Sequence, residues 1–476
     1  MAIDGGGYVW IVQKAGEASA PRIGKYDQKG VAQDVQITFA SDVLPQGIAY
    51  DDFGRANQLM VCDAGPDQNV KIYHLATLAG SPTTVTATFG VTGGYLQGSG
   101  SAIGTVGNLR FFNPIACGVD SSGAIYVASR QVGGTFGLQI EKYNRAGTTL
   151  SWSLKGMTFI DTAVVDPASE SGDLIHAYTK DERYQLDLSK PAGQEWTLKS
   201  CTINPARYPA DSRVTPGAHA VRFVNFQGGK FLVVADPFAN LLQLYRYNAS
   251  TDGEIAIPSY SYSKKSNGFA RWVDDQCNIW EGTGPGASLQ TIYQTPCTGQ
   301  DASGNPIYGE AVTFPLPTPF TDVRRLQYDP ATDTMYVAGF SAAHPETANA
   351  TDEWKSMGRV LARYDHWSGS RNKVWEILLP YDKNTVPVQQ PVSMVQCGDY
   401  VFVVGVFTQT KVWAYKAGSG AFVGHFLPGG DVGTVNDTGW VDVTQGISAH
   451  RRPNGEYLVF VEEDLRAKVL MYRWIP

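Results

Sequence analysis

Four residues of this 476-residue chain carry side chains suited to acid–base or charge-neutralising chemistry and stand at or just before apolar runs: Asp161, His219, Asp322 and Arg324. Asp161 with Asp322, or either with His219, would supply an acid/base pair, and Arg324 or Arg130 would clamp a carboxylate. Two carboxyl groups flanking a glycosidic bond suit a hydrolase, their separation setting the stereochemistry. A base beside an arginine that neutralises a carboxylate suits a uronate lyase instead. A second set reads as ligand-binding: Asp63, Arg130 and Asp236 in turns after apolar runs, and Trp354 and Trp440 in the two largest insertions. Aromatic rings stack on the apolar faces of sugars while neighbouring polar groups bond the hydroxyls; protein-binding surfaces are also rich in aromatics and arginine. Against every one of these aspartates stands a simpler role, capping a turn by accepting nearby backbone N–H groups.

Other chemistry finds less support. Of the seven histidines, only His219, His344 and His176 fall where they reach the same face as the candidate residues. None of the six cysteines stands in CxxC spacing, which argues against a zinc or thioredoxin-like site. Cys62, Cys117 and Cys397 read as small buried apolar residues, while Cys277 and Cys297 flank one hairpin-like segment and are close enough in sequence to be bridged.

The elements that position these residues repeat. Pro45-Gln-Gly-Ile-Ala-Tyr-Asp51 is followed by Asn57-Gln-Leu-Met-Val-Cys-Asp63, and Asn113-Pro-Ile-Ala-Cys-Gly-Val-Asp120 by Gly123-Ala-Ile-Tyr-Val-Ala-Ser129. Each pair is followed by further alternating runs such as Val70–Tyr73 and Leu138–Tyr143. Anchors at Asp4, Asp51, Asp120, Asp166, Asn225, Asp274, Asp329, Cys397 and Arg451 define nine such units. Period-two alternation with β-branched and aromatic residues predicts strands, and no helical periodicity of any length appears. The chain is therefore expected to be all-β. Residues 1–476 should form a single large β-propeller of four-stranded blades, eight or nine in number, closed by the N- and C-terminal segments. Long connections (91–113, 202–217, 339–358, 381–390, 428–444) fall almost all on one face, and function is expected there.

The stretch Phe89-Gly90, Gly93-Gly94, Leu109-Arg-Phe-Phe-Asn-Pro114 and Gly118-Val-Asp-Ser-Ser-Gly-Ala-Ile-Tyr-Val127 resembles NHL repeats, within the wider gluconolactonase-like propellers. The resemblance covers about a quarter of the chain and implies architecture rather than chemistry. Amidating lyases of the NHL class hold zinc with several channel histidines, which this chain does not supply. Gluconolactonase-like enzymes hold calcium with Glu, Asn and Asp on inner strands, and the Glu is missing at the matching positions. No cofactor is fixed by the sequence, and calcium is the one to test.

With 43% hydrophobic and 17% charged residues the composition is that of a globular protein. A net charge of −7 and no basic run longer than a pair argue against nucleic acid as a partner. No segment reaches the length of a membrane helix. Met1-Ala-Ile-Asp4 runs directly into a strand with no apolar leader, so an upstream leader or domain is expected to have been removed. Low charge, abundant Gly, Asn, Ser and Thr, and 12% aromatics point to export: secreted, periplasmic or cell-surface. Asn248-Ala-Ser, Asn349-Ala-Thr and Asn436-Asp-Thr are glycosylation sequons, which matter only in a eukaryotic secretory host. The leading expectation is an exported, monomeric propeller that binds or degrades a polysaccharide through its decorated face, as a polysaccharide lyase or glycoside hydrolase if it is an enzyme. The alternative is a non-catalytic protein-interaction propeller from a larger surface protein.

Overall fold

An aspartate closes the first hairpin of one sheet after another, which gives the repeat its physical reason. The Asp4 carboxylate accepts the backbone N–H groups of Gly6 and Tyr8 and the indole N–H of Trp10. Asp120 does the same with Ser122 and Ala124 and the Tyr126 hydroxyl. Asp274 takes Gln276, Asn278 and the Trp280 indole. Donors at two, four and six residues on fold the turn back and lock the aromatic of the second strand over it.

In a computed structural model of the protein, the described residues are 1–14, 20–98, 103–132, 137–156, 160, 162–179, 182–201, 203, 221–236, 241–248, 253–256, 271–283, 291–345, 357–379, 391–405, 411–426, 444–463 and 468–476. Among them the strands assemble into eight four-stranded antiparallel sheets, a three-stranded C-terminal sheet and a two-stranded arm. Neighbouring strands in a sheet are consecutive along the chain, save where the arm Cys297–Gln300/Pro306–Tyr308 is inserted before the last strand of its sheet. Nine blade-like sheets in all agree with the eight or nine blades that the repeats predict. Among the described residues the only helical elements are three-residue 3-10 turns, and none is long and apolar enough to cross a membrane.

The chain groups into two compact units, Met1–Thr158 with Asp181–Asp211, and Phe159–Lys180 with Ser212–Pro476. The first holds the sheets that begin at Ala2–Ile3, Pro45–Asp51 and Pro114–Val119, with the hairpin Glu182–Asp187/Trp196–Cys201. Its cores lie between successive sheets: Trp10, Ile23, Leu59, Val61 and Tyr73 in one, Met60, Val70, Phe89, Phe111 and Tyr143 in the next. Alternate residues of one strand, Met60 against Leu59 and Val61, thus serve opposite faces, as a two-residue period requires. The inner strands approach so closely that a Cβ on Gly47 would stand 2.3 Å from the Ile115 carbonyl oxygen. Gly47→Ala is therefore expected to destabilise the protein by about 2–3 kcal/mol, since backbone cannot yield as a side-chain tip can; urea denaturation measures it.

The second unit holds the hairpin Thr162–Val165/Leu174–Tyr178 and the sheets that begin at Val221–Phe226, Arg271–Val273, Asp322–Asp329, Pro391–Cys397 and Thr444–Arg451. Its inner strands follow one another round a closed ring. Arg222 donates to the Val273 carbonyl at 2.8 Å. Gln327 and Gln396 exchange bonds between their strands, to the Gln396 carbonyl and from the Gln396 N–H. Ser448 donates to the Ala163 carbonyl. The strand that meets the C-terminal sheet within this unit is thus Thr162–Val165. Sheet-to-sheet packing fills the gaps between blades, with Trp280, Met335, Val337 and Trp367 in one layer and Tyr336, Leu361, Val401 and Trp413 in the next.

Candidate functional site

Six inner strands converging on one axis leave a cavity of about 460 Å³ within the second unit, lined from every one of them. Three arginines dominate its chemistry. Arg222, second residue of its strand, lays its guanidinium 4.2 Å from the centre of the Trp272 ring and pairs with Asp275. Arg271 opens the next inner strand, is buried, and faces Glu281 across the ladder at 3.5 Å. Arg325 is buried in the third and donates to the Arg324 carbonyl at 2.7 Å. Burial, with the Arg324 charge beside it, pushes the Arg325 guanidinium down to about 9. Burial likewise lowers Arg222, with Asp275 opposing. Cations held this way in a poorly solvated channel favour an anionic group, and a planar guanidinium matches a carboxylate with two bonds. Gln327, Gln396, Ser393 and Ser448 add neutral polar atoms, and Trp272 and Tyr328 add aromatic surface. The cavity reaches Pro167, Asp275, Asp329 and Gly398, at the turns that follow the inner strands. It therefore extends toward the tight-turn end of the inner strands. Most of the long connections on which function is expected from the sequence, 204–217, 346–356, 381–390 and 428–443, lie outside the described residues.

Of the sequence candidates, the structure brings Asp322 and Arg324 together. Asp322 and Arg324 sit at the start of the Asp322–Asp329 strand and pair with each other at 2.9 Å. Burial pushes the Asp322 carboxyl up to about 6, with the Arg324 charge opposing. Arg324 also stacks on Phe340 at 5.1 Å. Asp63, in the first unit, accepts from the Leu44 and Gly65 N–H groups, both at 2.8 Å, and pairs with Lys71; its geometry is that of a turn cap. Arg130 ends its strand in the same unit, exposed. Asp236 closes the Gly229–Asp236 strand; its side chain, and Asp161, His219, Trp354 and Trp440 entirely, lie outside the described residues. His176 is buried against Asp166 at 2.7 Å, and His344 meets Glu376 at 2.7 Å.

Sequence reasoning missed the channel arginines. A signal existed: Arg222 and Arg271 each stand three residues before their unit's anchor, Asn225 and Asp274, and Arg325 stands four before Asp329. That extra residue between Arg325 and its anchor hides the third member. Among the described residues no group of three or more His, Cys, Asp or Glu is placed to hold a metal ion. The first unit has a smaller cavity, about 320 Å³, lined by Trp152, Trp196, Glu141 and Lys155. Burial holds the Glu141 carboxyl above its ordinary range.

No protein-family profile matches the sequence, and no curated protein does. Solved structures of similar fold include Sqt1 of Saccharomyces cerevisiae, at 9% identity over 91% of this chain and 97% of that one, with a TM-score of 0.33. The Dos1 propeller is similar at 9% identity over 99% of this chain and 91% of that one, TM-score 0.28. The N-terminal domain of Nup159 is similar at 11% identity over 75% and 87%, TM-score 0.31. Likeness at this level concerns the fold alone, and the all-β, four-stranded-blade architecture described above is that of a β-propeller.

Proposed function

We propose that this protein is an exported β-propeller that binds an acidic polysaccharide, with the channel of the second unit taking a uronate carboxylate. The observation that carries the reading is the convergence of Arg222, Arg271 and Arg325, from three successive inner strands, on one cavity with Trp272 at its wall. Its volume of about 460 Å³ suits one or two sugar rings. Recognition is favoured over cleavage because Asp322, the described carboxylate among the catalytic candidates, is buried and engaged by Arg324 rather than aimed into the cavity.

The test measures affinity for polygalacturonate and alginate oligosaccharides against neutral dextran by titration calorimetry. Acidic oligomers should bind and dextran should not. Arg222→Gln with Arg325→Gln should weaken binding about 100- to 10,000-fold, each charge-assisted bond contributing about 1.5–3 kcal/mol, while circular dichroism stays native. Unchanged affinity in the folded double variant, or equal binding of dextran, would overturn the proposal. Unsaturated uronates absorbing in the ultraviolet would make the protein a lyase instead.

A further inference from the structure

The ladder between Ile279–Gly282 and Thr291–Thr295 pairs Ile279 with Thr295 and Trp280 with Gln294. Continued two residues outward, that register sets Cys277 opposite Cys297 and on the same side as the Ile279–Thr295 pair. The regular ladder ends there because Cys277 takes a left-handed backbone, φ 64°. The Asn278 side chain replaces it. Its oxygen accepts the Cys297 N–H at 2.9 Å, and its nitrogen donates to Asp274 at 2.9 Å. Both residues pack in one cluster with Ile279, Val273 and Tyr308, and the Cys297 thiol donates to the Gly299 carbonyl at 3.4 Å. Cys277 is fully buried and its sulfur lies 3.5 Å from the Tyr308 hydroxyl, whereas Cys297 is only partly buried. One thiol is thus reachable and the other waits behind it, the arrangement of an attacking and a resolving cysteine.

We propose that Cys277 and Cys297 are a redox-convertible dithiol that closes to a disulfide, tying the turn after the Arg271–Val273 strand to the root of the Cys297–Gln300/Pro306–Tyr308 arm. The neighbouring Cys277 thiol, outweighing partial burial, brings the Cys297 thiol down to about 7, so a large share is thiolate at neutral pH. The Cys277 thiol is held up by its Cys297 neighbour and by burial. The oxidant is a small-molecule disulfide. The Cys297 thiolate attacks one of its sulfurs, forming a mixed disulfide and expelling the first thiolate. Cys277 then loses its proton and its sulfur attacks Cys297 Sγ, expelling the second. Two electrons pass from the protein to the small molecule. The two protons given up by the cysteines end on the two released thiols, and an exported protein would hold the pair closed.

The full chain is incubated with oxidised glutathione, then alkylated, digested and mapped by mass spectrometry. A peptide linking Cys277 to Cys297, reversed by dithiothreitol, is the expected result. Linkage confined to Cys62 and Cys117, the other neighbouring thiol pair, or no linkage at all, would overturn the proposal. A second measurement does not require oxidation: the rate of Cys297 alkylation by iodoacetamide against pH. It should have a midpoint near 7, moving up toward about 8.5 in Cys277→Ala. A midpoint that Cys277→Ala does not move would count against the pair acting together.

Discussion

Replacing Asp274 by alanine is expected to cost about 3–5 kcal/mol, because four donors lose one buried acceptor together. The carboxylate accepts the N–H groups of Gln276 and Asn278, the Asn278 side-chain nitrogen and the Trp280 indole, all within 2.9 Å. Trp280 itself is 1% exposed in the core shared with Val323, Met335 and Trp367, so the loss spreads from turn to blade. Asp27→Ala, which removes an exposed cap on Lys29 and Val31, should cost only about 1 kcal/mol. Urea denaturation of both variants checks the ratio, and equal costs would show that burial of the acceptor does not set the penalty. Asp274→Asn keeps two backbone bonds and should cost about 1–2 kcal/mol. It should also remove a pH dependence. Burial, outweighing the bonds from Trp280 and Asn278, holds the Asp274 carboxyl above its ordinary value. The stability it contributes is therefore full below about pH 4 and declines as pH rises through the folded value.

Asp166 holds the same position in its hairpin with the opposite sign. Burial would raise its carboxyl, but bonds from His176 and Lys230, with the Ala168 N–H, outweigh it and hold the group well below the usual range. Lys230 lies 2.7 Å from both oxygens and over the rings of Phe223 and Tyr247. A depressed carboxyl contributes stability that is complete above about pH 4 and is lost as pH falls toward the folded value. Asp166→Asn should cost about 2–4 kcal/mol at pH 7, since it leaves the Lys230 ammonium without its counter-ion. The difference from wild type should shrink below pH 4. Urea midpoints at pH 7 and pH 2 measure both arms, and a constant difference would show that charge pairing is not what Asp166 contributes.

These two aspartates show where sequence reading stops. Strand periodicity, turn residues and the Asp anchors are local properties, and they determined the all-β class, the strand-by-strand order and the nine blade-like sheets. The spacing of an Asp from its N–H donors and its aromatic partner lies within seven residues, so the capping role was legible as well. Which cation stands beside a cap was not. Lys230 comes to Asp166 from 64 residues away, and nothing near Asp274 in the chain distinguishes the two. The same holds for the site. Asp322 and Arg324 are two residues apart and look like partners for a substrate, but folding buries them as partners for each other. Arg222, Arg271 and Arg325 are separated by about fifty residues each and meet only because a ring of inner strands sets them side by side. Local patterning fixed the blades. Only the curvature that closes them, a sum of packing between sheets distant in sequence, decided which charges share a channel and which are consumed in holding it together.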